Sequence, residues 1–189
     1  MDEKDLIKKA KAGDQFAVRF IVEHNKNLVW HLIISYNGHS HDNEDLFQEV
    51  FLRVFKNIGR FRAEARLSTW IGSIARNVCV DYLRSRNKVQ HLQNIDNLNN
   101  FEGIADKHDH LIEKEEIKKM ILAAINELPP AFRSVISLYH LDEMSYHDIA
   151  EITGMPEGTV KSYMSRARQI LKAKLLAIVP DLTEIMEDI

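Results

Sequence analysis

The chain has 189 residues, 45% of them hydrophobic and 28% charged, with a formal net charge of -3 at pH 7. That size suits one ordinary domain or two small ones, and the hydrophobic share is normal for a globular fold. A charged start (Met1-Asp2-Glu3-Lys4-Asp5) without an apolar core, and the lack of any apolar run of about eighteen residues, lead to the expectation of a soluble intracellular protein with neither secretory leader nor membrane span.

The single cysteine, Cys79, excludes an intramolecular disulfide framework and fits a reducing, cytoplasmic setting. Gly and Pro are scarce at seven and four, and no stretch alternates apolar with polar residues, so the expected fold class is all-α.

In chain order, helices are predicted near 2–11 and 14–35, separated by Gly13-Asp14, a helix stop followed by an N-cap. After the polar gap Tyr36–His41, Asp42 or Asn43 can cap a third helix that runs to about Asn57. Its apolar arc is Leu46, Phe47, Val50, Phe51, Val54 and Ile58, while Asp45, Gln48, Glu49 and Arg53 crowd the opposite side. A fourth helix is expected over 67–86. From Asn87 to about His110 helical periodicity dissolves into Asn- and Asp-rich sequence, a linker that spans roughly 25 Å as a random coil and leaves the mutual orientation of the halves unfixed.

The second half resumes with helices near 113–127, 130–141, 145–153 and 156–176, the Pro129-Pro130 pair marking a sharp boundary. Ser145 with Asp148 has capping-box spacing, Gly154 supplies a turn and Pro156 suits a helix start, so 145–168 reads as a helix-turn-helix. On its second helix Val160, Met164, Ala167 and Leu171 form the packing stripe against Ile149, Ala150 and Ile152. Lys161, Ser162, Ser165 and Arg166 fall outside it and suit entry into a DNA major groove. Pro180 breaks the last helix before an acidic tail.

The small net charge conceals segregation. Residues 53–88 hold nine bases against two acids, 157–174 five bases against one acid, and the stretch between them, 94–117, seven acids against two bases. Two basic blocks with an acidic spacer point to two separate contacts with a polyanion. In the first block, Phe61, Trp70 and Tyr82 interleave with arginines and with Ser68, Thr69 and Asn77. Flat apolar surface, edge-reading amide or hydroxyl, and cations for the backbone are the ingredients that unstacked bases require. A core Trp beside surface arginines accounts for the same residues equally well.

The ordered set Asp45-Leu-Phe-Gln-Glu-Val-Phe, Phe61, Ser68-Thr-Trp-Ile, Ile74-Ala-Arg-Asn, Asp81-Tyr-Leu-Arg, Leu128-Pro, Phe132-Arg and then the helix-turn-helix resembles the extracytoplasmic-function group of bacterial RNA polymerase sigma factors. The likeness covers about 5–88 and 113–176. It implies two small helical domains on a flexible linker: 1–88 as region 2, 89–112 as linker, 113–177 as region 4, and 178–189 as an acidic tail. It further implies that Asp45, Gln48 and Glu49 meet the clamp coiled coil of core RNA polymerase. Phe61, Arg62, Arg66, Thr69, Trp70 and Asn77 would open and read the non-template single strand of the minus-ten element, with Arg76, Arg84, Arg86 and Lys88 on its phosphates. Arg133, Thr159, Lys161, Ser162, Ser165 and Arg166 would dock on duplex minus-thirty-five DNA, the second domain sitting on the polymerase flap. An anti-sigma factor is an implied partner, and no catalytic site is expected.

Two positions depart from the family pattern. Gly72-Ser73 stand where an aromatic and a cation are frequent, costing α-helix propensity of roughly 1 kcal/mol at Gly72, and Tyr163 stands where Arg is frequent. His39-x-His41 and His108-x-His110 lack cysteine or carboxylate company at zinc spacing, so no metal is expected. No phosphate-binding Gly-rich loop or nucleophile elbow is visible, and no cofactor is expected. A free-standing helix-turn-helix regulator and a helical adaptor that ignores DNA are the competing readings of the residues.

Overall fold

The computed structural model describes residues 3–93 and 114–178, with side-chain surroundings for 3–86 and 119–177. Eight α-helices and one short 3-10 turn make up this part, with no strand among the described residues. The first half contains α1 (Glu3–Lys11), α2 (Gln15–Asn37), α3 (Asn43–Asn57), the 3-10 turn Ile58–Arg60 and α4 (Leu67–Gln93). The second contains α5 (Lys114–Asn126), α6 (Pro130–His140), α7 (Tyr146–Thr153) and α8 (Glu157–Ile178).

The punctuation works as the sequence predicts. Gly13 takes φ +80°, a left-handed value that a side chain would oppose, and Asp14 then caps α2 by accepting from the Ala17 amide at 2.8 Å. At the start of α3 the expectation of a side-chain cap fails. Asp42 makes no capping bond, and Asn43 is buried instead, donating to the Gly38 carbonyl and accepting from Asn37. Those bonds fold the 38–43 loop back on the end of α2, which is a better use of a buried amide than one orphan helix donor.

In the first half, α2 lies against α4 and α3, and α3 against α4. Ile21, Val29, Leu32 and Ile33 of α2, Val50 and Val54 of α3, and Ile71, Ala75 and Val78 of α4 are almost wholly removed from water. In the second half, α6 and α7 pack on α8, whose stripe Val160, Met164, Ala167 and Leu171 is buried as its spacing requires.

Two expectations change. Helix α4 continues to Gln93 rather than ending near 86, so the proposed linker begins inside a helix; the rest of 89–112, and nearly all of the acidic tail, lie outside the described residues. The halves are also not independent: α2 packs on α6 and α4 packs on α7, and their buried side chains merge into one hydrophobic cluster. Apolar surface left over on α2 and α4 after the first core is filled supplies the reason, since burying it against α6 and α7 removes it from water.

Candidate nucleic-acid and polymerase interface

Three surfaces carry the residues singled out from the sequence. On α3, Asp45 and Gln48 are exposed and Glu49 is half-exposed. Glu49 accepts from Arg53 Nε at 2.6 Å, and the same guanidinium reaches Asp81 of α4 at 3.0 Å. Arg53 therefore braces Glu49 from behind and fixes the rotation of α3 on α4. The same face also presents Leu52, 66% exposed, which the sequence reading passed over. Its position, three and four residues after Glu49 and Gln48, is the signal that would have found it.

The second surface is the 61–70 turn with the outer side of α4. Phe61 is buried against Trp70, ring centroids 5.2 Å apart. Arg62 projects into solvent, its side chain 81% exposed, and Arg66 is exposed as well. Ala63 takes φ +56°, which turns the chain sharply between the two arginines. Behind this turn lies a pocket of about 330 Å³ lined by Arg60, Phe61, Arg62, Thr69, Trp70 and Ser73, with Glu151 of α7 among its walls. Asn77, Arg84 and Arg86 are exposed along α4, whereas Lys88 falls outside the described side chains.

Arg76 is half-buried at the junction of the halves. It donates to Asn77 Oδ1 at 3.2 Å, while its Nε is buried without a partner. Burial pushes the Tyr36 hydroxyl above its ordinary pKa, and the neighbouring Arg76 and Ser134 draw it only part of the way back. Thr69 is not on the surface at all. It is 1% exposed and donates to Asp148 Oδ1 of α7 at 2.8 Å.

The third surface is the helix-turn-helix. Ser145 and Asp148 form a complete capping box, Gly154 closes α7 with φ +67°, and the Pro156 carbonyl accepts the first amides of α8, from Thr159 and Val160. Burial tends to raise the pKa of the Asp148 carboxyl, but hydrogen bonds from the Ser145 hydroxyl, Thr69 and the Ser145 amide, with Arg66 nearby, outweigh it and hold the group below its ordinary value. Lys161, Ser162, Ser165 and Arg166 are all exposed on one side of α8 and Thr159 is half-buried beside them. Ser162 bonds back to the Gly158 carbonyl at 2.9 Å, and Lys161 stands over the Tyr146 ring at 5.9 Å.

Arg133 departs from the expectation of a DNA contact. It is 7% exposed, and its guanidinium donates to the carbonyls of Leu128 (3.0 Å) and Ile34 (3.1 Å). Burial lowers its pKa. A planar fork of donors is well suited to tie the α5–α6 turn to the end of α2, and so employed it cannot reach a phosphate. Tyr163 packs edge-on against Phe132 at 5.1 Å and is half-buried, so in place of a cation α8 gains an aromatic anchor.

Family models match both halves: Sigma-70 region 2 over residues 21–89 and Sigma-70, region 4 over 118–171. The ECF RNA polymerase sigma factor SigW of Bacillus subtilis is 32% identical over 179 residues, 91% of this chain and 96% of that protein. The chain belongs to the ECF RNA polymerase sigma factors. The ECF RNA polymerase sigma-E factor of Escherichia coli K12 is 30% identical over 186 residues, 95% of this chain and 97% of that protein.

Two solved structures share the fold. The sigma factor RpoE of Bartonella quintana, in complex with the anti-sigma factor NepR, superposes with a TM-score of 0.65 at 24% identity, covering 83% of this chain and 94% of that one. CnrH, in complex with the cytosolic domain of CnrY, gives a TM-score of 0.63 at 20% identity over 93% and 97% of the two chains. This ECF sigma factor is therefore a promoter-specificity factor for RNA polymerase. Among the described residues no helix is long and apolar enough to cross a membrane, and no three His, Cys, Asp or Glu side chains gather at metal-binding spacing.

Proposed function

We propose a division of labour among the three surfaces. Asp45, Gln48, Glu49 and Leu52 on α3 bind the clamp coiled coil of core RNA polymerase. Phe61, Arg62, Arg66, Trp70 and Asn77 receive the non-template strand of the minus-ten element, with Arg76, Arg84, Arg86 and Lys88 along its backbone, while Thr69, buried against Asp148, positions the helix that carries them. Thr159, Lys161, Ser162, Ser165 and Arg166 on α8 enter duplex minus-thirty-five DNA while the second half sits on the flap. The chain works in the cytoplasm as a non-catalytic specificity subunit, and an anti-sigma protein is its second partner, as the anti-sigma factor NepR is for the sigma factor RpoE.

The observation that carries this reading is chemical. The carboxylate face on α3 is exposed and held by Arg53, while the cations of α4 and α8 that the sequence marked for DNA, Arg84, Arg86, Lys161 and Arg166, are exposed; Arg86 lies near Asp42, and Arg84, Lys161 and Arg166 make no ion pair among the described residues. Cations left unneutralised on two helices are available to displace counterions from two stretches of nucleic acid.

Run-off transcription with purified core polymerase on the chain's own genomic promoters tests it, together with co-purification of core polymerase by the wild type and by Asp45→Ala with Glu49→Ala. Promoter-directed transcripts and loss of core binding in the double variant are expected. No transcript from any promoter, or undiminished core binding in the variant, defeats the proposal.

A further inference from the structure

The segment between Phe61 and Leu67 is held at both ends, and the second hold comes from a helix with no part in the three surfaces. Phe61 fixes the first end: its ring is buried against Trp70 and its amide donates to the Ile58 carbonyl at 3.3 Å. Between the ends Ala63 sits at φ +56°, a left-handed value unfavourable for a residue with a Cβ, and Arg62, Glu64 and Arg66 face water. Such a backbone persists only where its surroundings fix it.

The second end is the start of α4. The first amides of a helix have no carbonyl within the helix to receive them, and a side-chain acceptor on the residue just before it commonly does so. Here that residue is Arg66, whose side chain carries donors only. The acceptor comes from α1 instead: Glu3 Oε1 receives the Leu67 amide at 2.7 Å, across 64 positions of sequence. The positive end of the helix dipole favours a carboxylate at this place. Leu6, Ile7 and Ala10 are buried, and α1 packs on α2 and on the Ile58–Arg60 turn, so Glu3 stands on a fixed support beside the segment it caps.

We propose that Glu3 is a positioning residue for minus-ten recognition: by capping α4 from α1 it holds the 61–66 segment, and with it Arg62 and Arg66, in the shape that reads the strand. The inference rests on the assignment of this segment to the minus-ten strand. Glu3 touches no DNA in this role. Released at Leu67, the segment spends a smaller fraction of its time in the reading shape, and the apparent affinity for the correct strand falls by that fraction. A carboxylate repels phosphate, so losing Glu3 should weaken discrimination among minus-ten sequences without weakening general attraction to DNA.

Glu3→Ala and Glu3→Gln separate the acceptor from the charge, since glutamine keeps an acceptor oxygen at the same reach and alanine keeps neither. Holoenzyme formed with the full chain is given promoter libraries randomised at the minus-ten or at the minus-thirty-five element, and transcripts are counted. Preference for the best over the average minus-ten sequence should fall about fivefold in Glu3→Ala, the factor that one lost helix cap represents. It should stay near the wild type in Glu3→Gln, and minus-thirty-five preference should be unchanged in both. Amide exchange of the free chain, followed by NMR, should be faster at Leu67 in Glu3→Ala and not in Glu3→Gln. Wild-type minus-ten preference in Glu3→Ala, an equal loss at both elements, a loss as large in Glu3→Gln as in Glu3→Ala, or unchanged Leu67 exchange would each overturn the role. A wild-type holoenzyme that directs no transcript removes the sigma reading and the recognition role with it, whereas Leu67 exchange uses neither polymerase nor promoter and reports the cap alone.

Discussion

Thr69 and Asp148 offer a direct measure of how strongly the halves hold each other. Their hydrogen bond is 2.8 Å long, its donor 1% and its acceptor residue 9% exposed. A hydrogen bond to a charged group contributes about 1.5–3 kcal/mol net, more than a neutral one. Thr69→Val removes the hydroxyl at nearly constant shape, and Asp148→Asn removes the charge. A double-mutant cycle in urea should return a coupling of about 1.5 kcal/mol, roughly a tenfold change in the equilibrium constant. The value is capped by the free energy of closure itself, since a molecule that loses more than that opens. The Ser145–Asp148 pair, which lies within the second half and includes a 2.5 Å bond, serves as the reference cycle. A Thr69–Asp148 coupling below about 0.3 kcal/mol, with the Ser145–Asp148 coupling intact, would refute the closed contact.

Three further outcomes are expected. Gly154→Ala should destabilise the helix-turn-helix by about 1 kcal/mol, seen in the urea midpoint, because its φ of +67° is left-handed and the open space around its Cβ makes the cost purely one of backbone. Asp148 has a depressed pKa, so its contribution is present above the unfolded value near 3.8 and is lost as pH falls through the lower folded value; acid titration followed by scattering and circular dichroism should show stability flat above that point and declining below it. Cys79 is 1% exposed and burial pushes its thiol up to about 12, so at neutral pH it should resist a thiol reagent in the native chain and react fully in denaturant.

The helical class, the capping box of α7, the buried stripe of α8 and the two-faced α3 were all legible in the sequence, because each follows from residues within one or two helical turns of one another. So was the exposure of Lys161 and Arg166, which fall outside the apolar packing stripe of α8. Leu52 was passed over because one leucine on a polar arc carries little weight in a periodicity. The burial of Arg133 is not legible in the sequence because its partners are backbone carbonyls, one of them 99 positions away, and a carbonyl is the same at every residue.

Local pattern determined what each helix is and which of its sides is apolar, since hydrogen bonding within the helix and the spacing of side chains are set by near neighbours in the chain. Only the tertiary structure decided that α7 lies on α4, that Thr69 serves Asp148 and that Gly72 makes room for Ile152. Those contacts join residues about 80 positions apart, and complementary shape across such a distance leaves no periodic trace in the sequence.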